Sequence, residues 1–314
     1  MQTRITRMLN IKYPIFQGGM AWISEARLAA AVSNAGGLGI IGAGNAPGSM
    51  VREEIKKIRE LTDRPFGVNI MLMSPQVEEV VEVVCEEKVG VITTGAGNPG
   101  KYINQLVESG CRVFPIVPTL ALARRLSRYP IEGVIAEGGE AGGHVGDVAT
   151  TVLVALLARE LKIPVIAAGG FADGRGLIAA LALGAEAVQL GTVFVCSREC
   201  RVHDNYKKAI INAGERSSRV TGKMVKRPVR CLDNKLMRYL EEMDRKGVSP
   251  EKFEELAAGS LRRAVEEGNR ETGSFMAGQS AALVNRVSTA AEIIEDIMSQ
   301  ARETGDRIDK ILKE

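Results

Sequence analysis

The sequence predicts an α/β fold, a (β/α)8 TIM barrel with an inserted, mainly helical cap, and three observations predict it. Eight short runs rich in Val and Ile alternate with stretches of helical period. The runs are almost continuously apolar, so both faces of each strand are covered, as in a parallel sheet wrapped by helices. One long charged segment then interrupts the rhythm before a last amphipathic helix. Such a barrel takes about 250 residues and often carries an insertion, which suits a chain of 314. An open, doubly wound sheet is the competing topology, because pattern alone does not say whether the eighth strand pairs with the first.

In chain order the strand runs are Pro14–Gln17, Leu38–Ile41, Phe66–Ile70, Val89–Thr93, Arg112–Val117, Gly133–Ala136, Pro164–Ala168 and Ala187–Leu190. Between them lie the helices Ser24–Ala35, Ser49–Leu61, Pro75–Glu86, Lys101–Ser109, Leu120–Arg128, Thr150–Leu161 and Gly174–Leu183, set off by glycine-containing turns. Charged helical stretches follow, Asn205–Ala213, Lys235–Lys246 and Pro250–Glu267, without apolar strand runs. This assigns the barrel to 1–200 and 273–314 and the cap to 201–272. Thr289–Leu312 is an amphipathic closing helix, expected on the outside of the barrel.

Composition narrows the function. With 45% hydrophobic and 25% charged residues, the chain buries a sizeable core and is not disordered. A net charge of +3 is too small for the whole chain to act as a polyanion binder, so no nucleic acid partner is expected. No apolar run reaches the roughly 18 to 20 residues that span a bilayer, and Met1 to Lys12 lacks the apolar centre of a secretory signal. A cytoplasmic protein without a membrane partner is the expectation. Cys85, Cys111, Cys196, Cys200 and Cys231 are odd in number and scattered, which argues against a disulfide framework. Cys196, Cys200, His203 and Cys231 fit no strong zinc spacing, so no metal is expected.

In a barrel the functional residues gather where strands end and loops begin. Those positions are rich in glycine here: Gly18-Gly19-Met20, Gly42-Ala43-Gly44-Asn45, Gly95-Ala96-Gly97, Gly169-Gly170 and Gly191-Thr192. Glycine lets backbone approach something large and flat, or offer N–H donors without a Cβ in the way. The loops after strands seven and eight form the recurrent phosphate site of barrels, so the amides of Gly170, Gly191 and Thr192 are candidates to cradle a phosphate. Two G-x-G-x-x-G matches, at Gly37–Gly42 and Gly95–Gly100, are decoys: the first encloses a strand, and the second lacks a ribose-binding acid after the next strand.

His144 lies in the loop after strand six and is one of two histidines. It titrates near neutrality and can move a proton. Gly142 and Gly143 let that loop fold over a bound ring and set the imidazole above it. Asn69 and Glu137 have polar side chains for ring edges or hydroxyls, or alternatively for capping the next helix. Met20, Met276 and Gln279 can pack or hydrogen-bond at the mouth. Arg216, Arg219, Lys223, Lys226, Arg227 and Arg230 form a basic stretch with no acid among them, read either as a solvated face or as a docking patch for an acidic partner.

With these residues in view, the chain resembles the FMN-dependent enoyl-acyl-carrier-protein reductases of the enoyl reductase II type, within the nitronate monooxygenase superfamily. The likeness rests on Tyr13-Pro-Ile-Phe-Gln-Gly-Gly-Met20, Ala35-Gly-Gly-Leu-Gly39, Phe66-Gly-Val-Asn69, Thr93-Thr-Gly-Ala-Gly-Asn98, Glu140-Ala-Gly-Gly-His144, Ala167-Ala-Gly-Gly170 and Met276-Ala-Gly-Gln279. The resemblance implies a capped barrel with FMN at the rim, a homodimer, NADH or NADPH as electron donor, and an enoyl thioester on acyl carrier protein as substrate. It implies FMN contacts from Gly19, Met20, Asn69, Gly169, Gly170, Gln189, Gly191 and Thr192, and a thioester-orienting or protonating role for His144. In the nitronate branch the matching histidine serves nitronate oxidation with oxygen instead. One departure is Val193, where relatives commonly carry arginine. A non-redox sugar-phosphate site in the same cradle is the alternative from a different class.

Overall fold

Each apolar run forms a strand of one parallel sheet in the computed structural model, which describes residues 1–314. The strands are β1 (Ile15–Gln17), β2 (Gly39–Gly42), β3 (Phe66–Met71), β4 (Val91–Gly95), β5 (Arg112–Val117) and β6 (Val134–Glu137). A two-residue β7 (Gly143–His144) lies outside the sheet, which continues with β8 (Val165–Ala168) and β9 (Ala187–Leu190). β9 pairs with β1, and the ring closes between β1 and β2, where Gln17 N–H donates to the Leu38 carbonyl and Leu38 N–H to the Ile15 carbonyl, both at 2.9 Å. Closure excludes the open, doubly wound topology.

Strand alternation sends one set of side chains into the ring and the other outward to the helices. The inner set is a separate core of Phe16, Leu38, Ile40, Val91, Phe114, Ile135, Ile166, Ala168 and Ala187, with Phe16 and Phe114 edge to face at 6.1 Å. A helix absent from the sequence reading, Arg4–Leu9, seals the N-terminal end of this core with Ile5 and Leu9. At six residues it is too short to show a period, and a Thr3–Thr6 capping box starts it. The outer core joins the strands to the surrounding helices. The closing helix Ala290–Lys313 starts with a Thr289–Glu292 capping box and packs Ile293, Ile294, Ile297 and Met298 against the barrel's outer layer, as its amphipathic pattern predicts.

The segment read as a mainly helical cap contains the helices Asp204–Ile211, Lys235–Arg245 and Pro250–Ala257, and also two strands that the sequence does not announce, β10 (Ser218–Thr221) and β11 (Val229–Leu232). Their short, half-exposed sequences Ser-Arg-Val-Thr and Val-Arg-Cys-Leu carry no apolar run, which hid them. β10 and β11 form an antiparallel hairpin, and β11 also pairs with β7. Val225, Cys231, Met237, Leu240 and Phe253 give this segment a small core of its own. Buried Asp244 fixes the hairpin turn by accepting from the Met224 and Val225 amides. No helix is long and apolar enough to cross a membrane.

Candidate active site at the barrel mouth

The loops after β8 and β9 were expected to hold a phosphate, and their backbone is built for close approach. Gly169 and Gly170 are consecutive left-handed residues, at φ 91° and 86°, a conformation that favours glycine. The amides of Gly169, Gly170 and Gly191 make no hydrogen bond within the chain. Gln189, on β9, is only 7% exposed; its Oε1 has no hydrogen-bond partner, and its side chain lies 3.4 Å from where a side chain at Gly18 would begin. A buried carbonyl oxygen left unpaired is costly, so this cluster fits a ligand carrying both acceptors for the amides and a donor for Gln189. A phosphate tail and a polar heteroaromatic ring, as in FMN, meet that requirement. Thr192 opens the short helix Thr192–Val195, and its hydroxyl accepts from Gly278 N–H at 3.0 Å.

Neighbouring loops complete the mouth. The Met20 sulfur lies 3.4 Å from where a side chain at Gly191 would begin, so the β1 and β9 loops touch. Asn69 lies within β3 rather than after it, and a side chain at Gly19 would begin 2.2 Å from its Cβ. Its Oδ1 accepts from the Thr93 hydroxyl at 2.9 Å, and the next helix starts only at Val77, so Asn69 caps nothing.

Glu137 ends β6, half-buried, with neither a hydrogen bond nor an ion pair on its carboxyl. Burial pushes its pKa up to about 7. It does not cap the following helix, because Glu140 does: Thr150 N–H donates to Glu140 Oε2 at 2.7 Å, ahead of Ala149, which has no capping side chain. Glu140 also borders Gly170, and its carbonyl accepts from Gln279 N–H at 2.9 Å. Nothing in the sequence around Glu140 points to this role. Its partner lies ten residues on, outside any local capping pattern.

Segment 276–279 therefore crosses the rim between the β6 and β9 loops. Gly142 is exposed and would clash with the Ala277 backbone at 2.6 Å if it carried a side chain. Gly143 has φ 75° and sits beside the half-buried Met276 sulfur, while the Gln279 side chain is exposed. His144 follows on β7, opposite Val229 of β11. Its side chain reaches solvent at the mouth. The surrounding protein disfavours a charged ring, Arg227 adds repulsion, and together they hold the His144 pKa below its ordinary value. The neutral imidazole is thereby favoured.

The other histidine is structural: His203 Nδ1 accepts from Asn205 N–H and caps the helix Asp204–Ile211. Cys196, Cys200 and Cys231 are buried free thiols, pushed by burial to about 12, 11 and 12. Of the basic stretch, Arg219 pairs with Asp233 and Glu241, Arg227 with Glu254, and Arg230 with the Gly139 carbonyl. Arg216, Lys223 and Lys226 are exposed, with no ion pair.

Comparison with known proteins places the chain. The nitronate monooxygenase family model matches residues 2–82 and 76–300. FabK from Thermotoga maritima superposes with a TM-score of 0.97 at 50% identity, covering 99% of both chains. Nitroalkane oxidase from Streptomyces ansochromogenes superposes at 0.86 and 27% identity, covering 96% of this chain and 99% of that one. A Mycobacterium tuberculosis (3aS,4S,5R,7aS)-5-hydroxy-7a-methyl-1-oxo-octahydro-1H-indene-4-carboxyl-CoA dehydrogenase is 33% identical over 96% of each chain. A probable nitronate monooxygenase of Staphylococcus saprophyticus is 32% identical, over 98% of this chain and 99% of that one. These likenesses bear out the expected barrel and the expected enzyme class, a flavin-dependent oxidoreductase. The chain belongs to the nitronate monooxygenase family.

Proposed function

We propose that the chain binds FMN across the barrel mouth and, with NADH or NADPH as donor, reduces the 2,3-double bond of trans-2-enoyl thioesters carried by acyl carrier protein. The observation that carries this reading is the unpaired, buried Gln189 Oε1 on β9 together with the unpaired amides of Gly169, Gly170 and Gly191, which follow the paired strands β8 and β9, with His144 on the loop that leaves the adjoining β6. When bound, FMN supplies a two-electron carrier between nucleotide and alkene. Gly169, Gly170, Gly191 and Thr192 hold its phosphate through main-chain donors. Gln189 and Asn69 bind polar ring edges or hydroxyls, and Glu137, with a pKa near 7, exchanges a hydrogen bond at the ring. Gly19, Met20, Gly142, Gly143, Met276 and Gln279 line the ring and exclude water. The neutral His144 donates N–H to the thioester carbonyl and assists proton delivery to the α-carbon.

Two features favour a carrier-bound thioester. The Mycobacterium relative is named for a carboxyl-CoA substrate, itself a thioester. Exposed Arg216, Lys223 and Lys226 suit an acidic carrier, with Arg219, Arg227 and Arg230 bracing the same hairpin. A cytoplasmic homodimer, with 201–272 serving as the substrate-side cap of the barrel, completes this reading. The second reading, nitronate oxidation with oxygen, draws support from the Staphylococcus relative's name. Purified enzyme reduced anaerobically with NAD(P)H should be reoxidised by crotonyl thioester and should respond poorly to alkyl nitronate. Reduction by nitronate without any pyridine nucleotide would favour the second reading.

A further inference from the structure

The His144 loop is rich in glycine, and its middle is held by Gly139 N–H on the Val148 carbonyl at 2.7 Å, by Ala141 N–H on the Gly138 carbonyl at 3.1 Å and by the bonds of Glu140 to Thr150 and Gln279. Residues 138–146 include Gly138, Gly139, Gly142, Gly143 and Gly146, and glycine leaves the backbone free to wander. The stretch that carries His144 is held in addition by the hairpin of β10 and β11. In the antiparallel ladder Arg230 lies opposite Gly143 and Val229 opposite His144, and Val145 N–H donates to the Pro228 carbonyl at 3.2 Å. The Arg230 side chain then reaches back to the start of the same loop. Its Nη2 and Nε donate to the Gly139 carbonyl at 2.8 and 3.2 Å, while Nη1 donates to Ser218 Oγ at 3.0 Å. A single residue therefore grips the loop on both sides of Glu140, by main-chain pairing at Gly143 and by a forked side-chain contact at Gly139. The guanidinium is half-buried, and burial lowers its pKa, opposed by Glu140. It is committed to the loop and not to solvent.

We infer that Arg230 is a positioning residue for His144, its guanidinium holding the Gly139–His144 loop in the path that presents the imidazole to substrate. This deepens the proposed function and rests on the reading that His144 touches the substrate. Arg230 does not touch substrate itself. It acts through the loop.

The FMN-loaded enzyme carrying Arg230→Met or Arg230→Lys tests this. A displacement of about 1 Å in a positioned group costs on the order of 100-fold in rate. Arg230→Met should therefore lower kcat with crotonyl thioester about 10- to 100-fold, with KM for the nucleotide little changed. The acid limb of its pH profile should move up towards the ordinary histidine value as the ring relaxes into water. Arg230→Lys keeps one donor for Gly139 and should recover part of the loss. Deuterium exchange of the amides in 139–146 should accelerate in Arg230→Met and, more weakly, in Arg230→Lys. Wild-type kcat and pH profile in the methionine variant, or unchanged exchange in that segment, would overturn the inference. Should Arg230→Met not fold, the lysine variant is judged by the same readouts. Exchange needs no turnover, so a wild-type enzyme inert towards enoyl thioesters would defeat the proposed function while the loop clamp is still judged.

Discussion

A histidine at a solvent-reaching mouth would ordinarily titrate near 6.5, but the protein around His144 and the nearby Arg227 press it lower. The neutral form is needed for an N–H donor to a thioester carbonyl, so the acid limb of kcat/KM should fall below 6.5, with activity lost as pH drops through it. His144→Ala should keep its yellow colour and lose about 100-fold in turnover, the scale of a lost acid–base group. Unchanged turnover would reduce His144 to a structural residue. Glu137 runs the other way. Its folded pKa of about 7 exceeds the ordinary carboxyl value of 4.5, so the folded state keeps a proton that the unfolded chain releases. Folding is penalised progressively as pH rises from about 4.5 to 7, and fully above that. Glu137→Gln should therefore stabilise the flavin-free protein at pH 8 by on the order of 2 kcal/mol, and not at pH 4. Equal denaturation midpoints at both pH values would contradict the burial argument.

At the scale of the element, what was legible follows from how far apart the cooperating residues are. All eight barrel strands were readable because apolar runs and turn glycines are local signals. The helix Arg4–Leu9 was not, since its reason for existing is the inner core above it. Ile5, fully buried there, should cost about 2–5 kcal/mol when cut to alanine, readable as a drop in denaturant midpoint. β10 and β11 escaped for the same kind of reason: their partners are each other and β7, and only tertiary pairing makes them strands. The site followed suit. Gly169, Gly170 and Gly191 were visible as glycines after strands, and His144 as a rare residue in a glycine-rich loop. The role of Glu140 was invisible, being set by a helix that begins at Thr150 with no cap of its own. Glu140→Ala should cost about 1 kcal/mol for the lost cap, and it should also loosen FMN, because the same residue borders Gly170 and holds Gln279. A flavin titration of that variant matching wild type would remove Glu140 from the site.

For the whole molecule, the division of labour is between a closed ring and an inserted segment whose hairpin pairs with the strand of His144. The ring supplies free amides and a stranded carboxamide oxygen from two adjacent strands, a geometry fixed by closure of β1 on β9 and β2. The inserted segment supplies the strand that carries His144 into place and a hairpin turn with exposed Lys223 and Lys226. If that turn receives an acidic carrier, Lys223→Glu with Lys226→Glu should raise KM for a carrier-bound substrate several-fold and leave KM for the matching CoA thioester nearly unchanged. Docking charges act mainly on encounter, so the effect should shrink with added salt. A shift of the same size for both substrates would argue against a carrier-specific surface. The measurement that bears most directly on the account is anaerobic stopped-flow absorbance of the purified enzyme, mixed first with NAD(P)H and then with crotonyl thioester. The account predicts a bound flavin spectrum that bleaches with nucleotide and returns with the enoyl thioester. A protein that takes up no FMN, or whose reduced flavin is untouched by enoyl thioesters of every chain length, would contradict it.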